Sequence, residues 1–174
     1  MQEKAQAKRS REWIQGALVE LMKKKEYESI TIKDITDKAG VARLTFYRHY
    51  QSKEEVLEDY FAQQFSRYLE TFQNSNDQQM IDALSLCFDY WKKGSLMISL
   101  LKKAGLDKIL YGHFGSYLEM MLDRYDNDFQ MSDLQRQFLV GGLYFAMLEY
   151  VLSDDSTSPY QAARSVLSLL DLNS

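Results

Sequence analysis

The stretch from Thr31 to Lys53, TIKDITDKAGVARLTFYRHYQSK, constrains the fold more than any other part of this chain. Thr31 is placed to cap a helix, its hydroxyl accepting an otherwise unpaired backbone N–H, and Asp34 suits the positive end of the same helix. Ile32, Ile35 and Ala39 follow at helical spacing and give one apolar face. Gly40 should end that helix, because glycine accepts the left-handed conformation without steric cost. Val41 and Ala42 cross a tight turn, and the pattern predicts a second short helix from about Arg43 to Tyr50 with Phe46 and Tyr50 turned inward. Arg43, Thr45, Tyr47, Arg48 and His49 are left for its exposed side. Ser52-Lys53-Glu54-Glu55 then reads as a capping box opening a long helix. Lys53 sits in its first turn, where a positive charge opposes the helix dipole and would suit an approaching anion such as a phosphate. Two short helices, a tight turn and a capped third make a helix-turn-helix.

Charge divides the chain at the same place. Residues 1–53 hold 12 Lys+Arg against 7 Asp+Glu, and residues 54–174 hold 9 against 18, within an overall formal charge of −4. A basic head attracts phosphates, and an acidic body discourages indiscriminate binding along them. The second helix of a helix-turn-helix fits the major groove of DNA, so the asymmetry and the motif point to the same ligand. Arginine can pair with guanine O6 and N7, and threonine or leucine can meet a thymine methyl.

The rest of the sequence excludes several classes. One proline and eight glycines in 174 residues leave little room for a sheet-and-turn architecture. A single cysteine, Cys87, permits no intrachain disulfide and suits a reducing compartment. No apolar run approaches ~18 residues, and the polar, charged start MQEKAQAKRSRE is unlike a secretion signal. The expectation is a soluble cytoplasmic protein with no membrane partner. Cys87 and His113 are too few for a zinc site, and Asp123, Asp126 and Asp128 lack the spacing of a calcium loop. No phosphate-binding loop, nucleophile elbow or dinucleotide fingerprint occurs. No enzyme, metal or cofactor is therefore expected.

Beyond the head the chain reads as helix after helix: about 53–73, 77–92, 95–103, 106–125, 133–152 and 159–170, with Pro159 in the first turn of the last. Residues 126–132 read as a loop. The 133–152 helix is apolar nearly all round, which predicts burial on both sides. Gly141-Gly142 costs it roughly 1 kcal/mol per glycine in helix propensity, a cost that a close helix–helix approach would offset. That approach could come from the same chain or from a second copy. Residues 80–125 supply many aromatic and methionine side chains, which build adaptable cavities but at helical spacing also build plain core.

Residues 10–60 resemble the N-terminal domain of the TetR/AcrR family of bacterial transcriptional regulators. The matching residues are Ile14, Ala17, Leu18 and Leu21, then Tyr27, Thr31-Ile32, Asp34-Ile35, Ala39-Gly40-Val41, Thr45-Phe46-Tyr47-Arg48-His49-Tyr50 and Ser52-Lys53-Glu54. Three positions depart from the usual pattern: Glu26 for glycine, Thr36 for alanine and Ala42 for serine, the last removing a cap from the second helix. The resemblance implies an all-α protein with a three-helix helix-turn-helix head over 1–53. Residues 54–174 would form a helical bundle for effector binding and dimerisation. It implies that Arg43, Leu44, Tyr47 and His49 face bases or nearby backbone, that Thr31, Thr45, Tyr47 and Lys53 touch phosphates, and that Lys33 can reach a base; Arg48 completes the DNA-binding set. It implies a two-fold dimer interface through Phe138, Gly141, Gly142, Phe145, Leu152, Val166 and Leu170. A small-molecule effector pocket would involve Cys87, Trp91, Tyr111, His113, Phe114, Tyr117 and Met121. The function expected is a ligand-responsive homodimeric repressor reading a palindromic operator in double-stranded DNA. The alternative is a co-activator whose head only anchors to DNA while the body binds a partner protein.

Overall fold

A computed structural model describes residues 2–75, 79–125, 131–154 and 156–169, with side chains from residue 6 onward. Among these residues there are nine α-helices, one 3-10 turn and no strand. They are α1 (Gln2–Met22), the 3-10 turn Tyr27–Ser29, α2 (Ile32–Ala39), α3 (Arg43–Tyr47), α4 (Lys53–Gln73), α5 (Met80–Lys93), α6 (Ser95–Lys103), α7 (Asp107–Tyr125), α8 (Asp133–Leu152) and α9 (Pro159–Leu167). No helix among them is long and apolar enough to cross a membrane. The chain forms two compact units, one of residues 1–64 with 100–106 and the other of residues 65–99 with 107–174. Helix α4 gives residues to both.

Local chemistry sets the ends of these helices. Thr31 Oγ1 accepts the Asp34 N–H at 3.1 Å while Asp34 Oδ2 accepts the Thr31 N–H at 2.9 Å, so α2 begins with a reciprocal box. The Thr31 hydroxyl and then the Thr31 N–H, both donating to that carboxylate, hold the Asp34 carboxyl down at about 2. Gly40 ends α2 at φ +66°, in the left-handed region where a side chain would be strained, and the Val41 N–H closes back onto the Thr36 carbonyl at 3.1 Å. Ser132 with Gln135 and Ser158 with Gln161 form the same box at the starts of α8 and α9, with Pro159 in the first turn of α9. At α4 the box is offset by one residue. Ser52 accepts the Glu55 N–H at 3.3 Å, but the Glu55 carboxylate reaches the Gln51 N–H at 2.7 Å.

In the first unit α1 packs on α2 and α2 on α3, around Ile14, Leu18, Ile35, Phe46, Leu57 and Phe61, all fully buried. In the second unit α5 packs against α7, α8 and α9. Its centre is an aromatic cluster in which Phe65 stacks on Trp91 at 5.4 Å and meets Phe114 edge-on at 5.3 Å, and Tyr117 meets Tyr68 edge-on at 5.0 Å. Cations close the carbonyl ends of helices here too. Lys92 Nζ donates to the Tyr150 carbonyl at 2.7 Å and to that of Ser153 at the end of α8, and Arg124 donates to the Phe72 and Ser75 carbonyls at the end of α4.

Two expectations change. The second helix of the motif ends at Tyr47, three residues early, because His49 and Tyr50 turn away to partners on other helices. Helix α8 is buried on one side only. Val140, Leu143, Tyr144, Met147, Leu148 and Val151 face the second unit's core, while Leu134, Phe138 and Phe145 on the opposite side are 81%, 77% and 66% exposed.

Candidate nucleic-acid interface

Helix α3 has five residues, too few to hold itself together in water. It is held by its neighbours. Phe46 is completely buried and meets the Tyr47 ring edge-on at 5.6 Å. Ala42 caps it without a side-chain hydrogen bond, as expected for the residue standing where serine is usual.

Anchored this way, α3 presents a short mixed surface. Arg43 is exposed, and its Nη2 donates to the Tyr47 hydroxyl at 3.1 Å with the guanidinium 5.5 Å from the ring centre. Leu44 is 65% exposed and Tyr47 47%, large apolar side chains left in solvent beside a cation. Thr45 is half-buried and Arg48 exposed. A guanidinium braced on an aromatic ring, next to a leucine, supplies a donor for base edges and an apolar contact for a thymine methyl. On α2, Lys33 is exposed and paired with Asp37 at 2.8 Å, a bridge that solvent weakens. Thr31 is exposed as well, its hydroxyl donating to Asp34 Oδ2 at 2.6 Å.

Lys53 and His49 turn inward. Lys53 Nζ donates to the carbonyls of Tyr27, Glu28 and Ile30 at 2.7, 3.4 and 3.2 Å and lies 4.1 Å from the Tyr27 ring centre. A lysine in the first turn of α4 thus has a reason within the chain: it closes the carbonyl end of the 3-10 turn. Beside it the Tyr27 hydroxyl donates to Glu54 at 2.7 Å. Burial first, and then this carboxylate, push the Tyr27 hydroxyl far above its usual range.

His49 is half-buried, its Nε2 2.7 Å from Ser10 Oγ on α1. Burial first, and then the Arg11 and Arg48 charges, hold its pKa below 6.5. A histidine whose folded pKa is lowered contributes its full stability above about 6.5 and loses it as pH falls through the folded value. The melting temperature should therefore decline between pH 7.5 and 5.5, and His49→Gln, which keeps a polar partner for Ser10, should decline less. An identical decline in the variant would contradict this assignment.

A buried polar network beneath α3 has no counterpart in the sequence reading. Gln15 is 3% exposed, and its Nε2 donates to the Tyr50 hydroxyl at 3.1 Å and to Asp59 Oδ2 at 2.9 Å. Tyr50 itself donates to the same oxygen at 2.7 Å, and Gln63 donates to Asp59 Oδ1 at 3.1 Å. Two helices, α1 and α4, and Tyr50 in the segment that follows α3 are tied at one carboxylate. The available signal was the polar Gln15 next to Ile14 on a face that is otherwise apolar.

In the second unit, Cys87, Trp91, Phe114, Tyr117 and Met121 are buried together in or beside the aromatic cluster. His113 is half-buried with its ring 5.3 Å from Phe65, and Tyr111 is 45% exposed, edge-on to Tyr144 at 5.1 Å. Burial pushes the Cys87 thiol up to about 12, which keeps it protonated and unreactive. Phe138, Gly141, Gly142 and Phe145 share the outward side of α8 with the half-buried Leu152 at its end, and Val166 is half-buried on α9. Leu170, Asp126 and Asp128 lie outside the described residues.

Residues 14–60, which contain this surface, match the family model of bacterial regulatory proteins, tetR family. Over 51 residues the chain is 47% identical to the uncharacterized HTH-type transcriptional regulator YxbF of Bacillus subtilis (strain 168), a match taking in 29% of this chain and 13% of YxbF. It is 28% identical over 132 residues to the HTH-type dhaKLM operon transcriptional activator DhaS of Lactococcus lactis subsp. lactis (strain IL1403), covering 72% of this chain and 68% of DhaS. The crystal structure of a TetR transcriptional regulator from Streptococcus agalactiae 2603V superposes with a TM-score of 0.72 at 20% identity, covering 98% of both chains. The capped α2–α3 motif lies within the matched residues 14–60, so this segment is similar to the DNA-binding segment of tetR-family regulators, and the all-helical fold is like that of the solved TetR regulator.

Proposed function

We propose that the protein acts in the cytoplasm as a homodimeric repressor that reads a palindromic operator and answers to a small-molecule effector. The observation that carries this reading is the outward side of α8. Leu134, Phe138, Gly141, Phe145 and Leu152 fall on one stripe at helical spacing, and three of them are among the most exposed large apolar side chains of the chain. A Cβ added at Gly141 or Gly142 would meet no atom within 4 Å. Packing within one copy therefore gives no reason for two glycines in mid-helix, whereas close approach by a second copy does. Contiguous exposed apolar patches mark interaction sites, and a self-complementary patch gives a two-fold pair.

On DNA, Arg43, Leu44 and Tyr47 read bases, with Thr31, Lys33, Thr45, Arg48, His49 and Lys53 around them. An effector enters the cluster of Cys87, Trp91, Tyr111, His113, Phe114, Tyr117 and Met121. Because α4 is one continuous helix from Lys53 to Gln73, and its Phe65 and Phe72 belong to that cluster, opening the cluster displaces the helix that carries Lys53. Coupling on the order of 1–3 kcal/mol would suffice to release DNA.

The relative DhaS, matched over 72% of this chain, is by name an operon activator, and this favours a second reading in which the head anchors to DNA and the body binds a partner protein. Selection of bound duplexes from a random DNA pool separates the two. The repressor reading predicts enrichment, by the protein alone, of an inverted repeat with half-site centres ~34–36 Å apart. No enrichment, or a single half-site, would contradict it.

A further inference from the structure

We propose that the phosphate-binding surface extends from α3 onto the N-terminal half of α1, where Arg9 and Arg11, with Lys8 behind them, hold DNA backbone phosphates next to the bases that α3 reads. The inference rests on the regulator reading above and assigns a further part of its DNA footprint. The joint is the contact between Ser10 and His49. Ser10 is 7% exposed and its hydroxyl lies 2.7 Å from His49 Nε2, which fixes this point of α1 against the residues that follow α3. Arg9 and Arg11 flank Ser10, Arg48 precedes His49, and all three guanidinium side chains are exposed. Arg11 also lines an open groove of about 320 Å³ with His49 and Tyr50.

The three arginines are not held in close ion pairs. Among the described residues no carboxylate lies within 4.0 Å of Arg9, Arg11 or Arg48. Lys8 is 3.9 Å from Glu12 across an exposed pair that contributes little. The groove that Arg11 lines also holds Glu55, Glu58 and Asp59, whose charges offset part of that of Arg11, whereas Arg9 and Arg48 are not among its lining residues. Like charges gathered beside a reading helix, with the three arginines outside close ion pairs, repel one another in the free protein. A polyanion running past them removes that repulsion and releases its own counterions. Residues of this kind position the protein and carry no sequence information.

The test is the salt dependence of binding to the operator obtained by the selection above, using the full-length protein. Arg9→Gln with Arg11→Gln should make the slope of log K against log salt shallower by about 2. It should also weaken binding to operator and to single-base-changed operators by the same factor, leaving their ratio intact. Arg9→Lys with Arg11→Lys should restore the slope. Both pairs are exposed, and an unchanged melting temperature would confirm that folding is not the cause. Unaltered slope and affinity in the Gln pair would overturn the inference while the regulator reading stands. A changed ratio between operators would overturn it in favour of base contact. Failure of the unaltered protein to bind any DNA would overturn the regulator reading, and this inference with it.

Discussion

Phe145→Arg is expected to leave the protein folded and monomeric. Phe145 is 66% exposed within one copy and sits midway along the outward stripe of α8, a turn beyond Gly141. A two-fold interface repeats every residue, so the change places two guanidinium groups in one apolar contact. Like charges brought together across an interface cost several kcal/mol; at about 4 kcal/mol the dimer would dissociate roughly a thousandfold more readily. Within the single copy the same change occurs on a solvent-facing position and should alter stability by no more than about 0.5 kcal/mol. Sedimentation velocity reads the first effect and thermal unfolding the second. A monomer with the original melting temperature places the second copy on α8. A dimer of unchanged strength would move the interface elsewhere, and the glycine pair in mid-helix would then be without a reason.

Phe46→Ala should cost about 3–5 kcal/mol of stability, a large share of the roughly 5–15 kcal/mol that a folded domain possesses. Phe46 has no exposed surface, and it joins the short α3 to the ring of Tyr50 at 6.0 Å as well as to Tyr47. Five residues of helix cannot replace that anchor. DNA binding and the melting temperature should therefore fall together, and Phe46→Leu should lose less of both. Loss of DNA binding at an unchanged melting temperature would show that Phe46 acts as a contact and that the core of the head lies elsewhere.

What the sequence revealed about the fold, and what it hid, follows from the range of the interactions. Thr31, Asp34 and Gly40 act on backbone groups within a few residues, so the start and end of α2 could be read directly. Pro159 marked the start of α9 for the same reason, while the boxes of Ser132 with Gln135 and Ser158 with Gln161 came to light only in the structure. The end of α3 could not be read that way. His49 leaves the helix for Ser10, 39 residues earlier, and Tyr50 for Gln15, 35 residues earlier, and no local pattern announces such partners. Lys53 looked costly in the first turn of a helix because its compensation, the carbonyls of Tyr27, Glu28 and Ile30, comes from a separate turn. For α8, apolar periodicity says that a face is to be covered but not by which chain. The expectation of burial on both sides described a helix whose second side is open in one copy. The exposure of Leu44 and Tyr47 has the same character: apolar side chains kept in solvent at a place where the head is otherwise well packed.

A titration of fluorescently labelled DNA from upstream of the protein's own gene, followed by anisotropy, tests the central claim most directly. The unaltered protein should saturate the DNA without any partner. Arg43→Ala should weaken binding by about 1–3 kcal/mol, roughly 5- to 150-fold, with Tyr47→Ala also weaker because it removes the ring that braces Arg43. Weak binding that ignores sequence and is the same in both variants would contradict a regulator that reads DNA through α3.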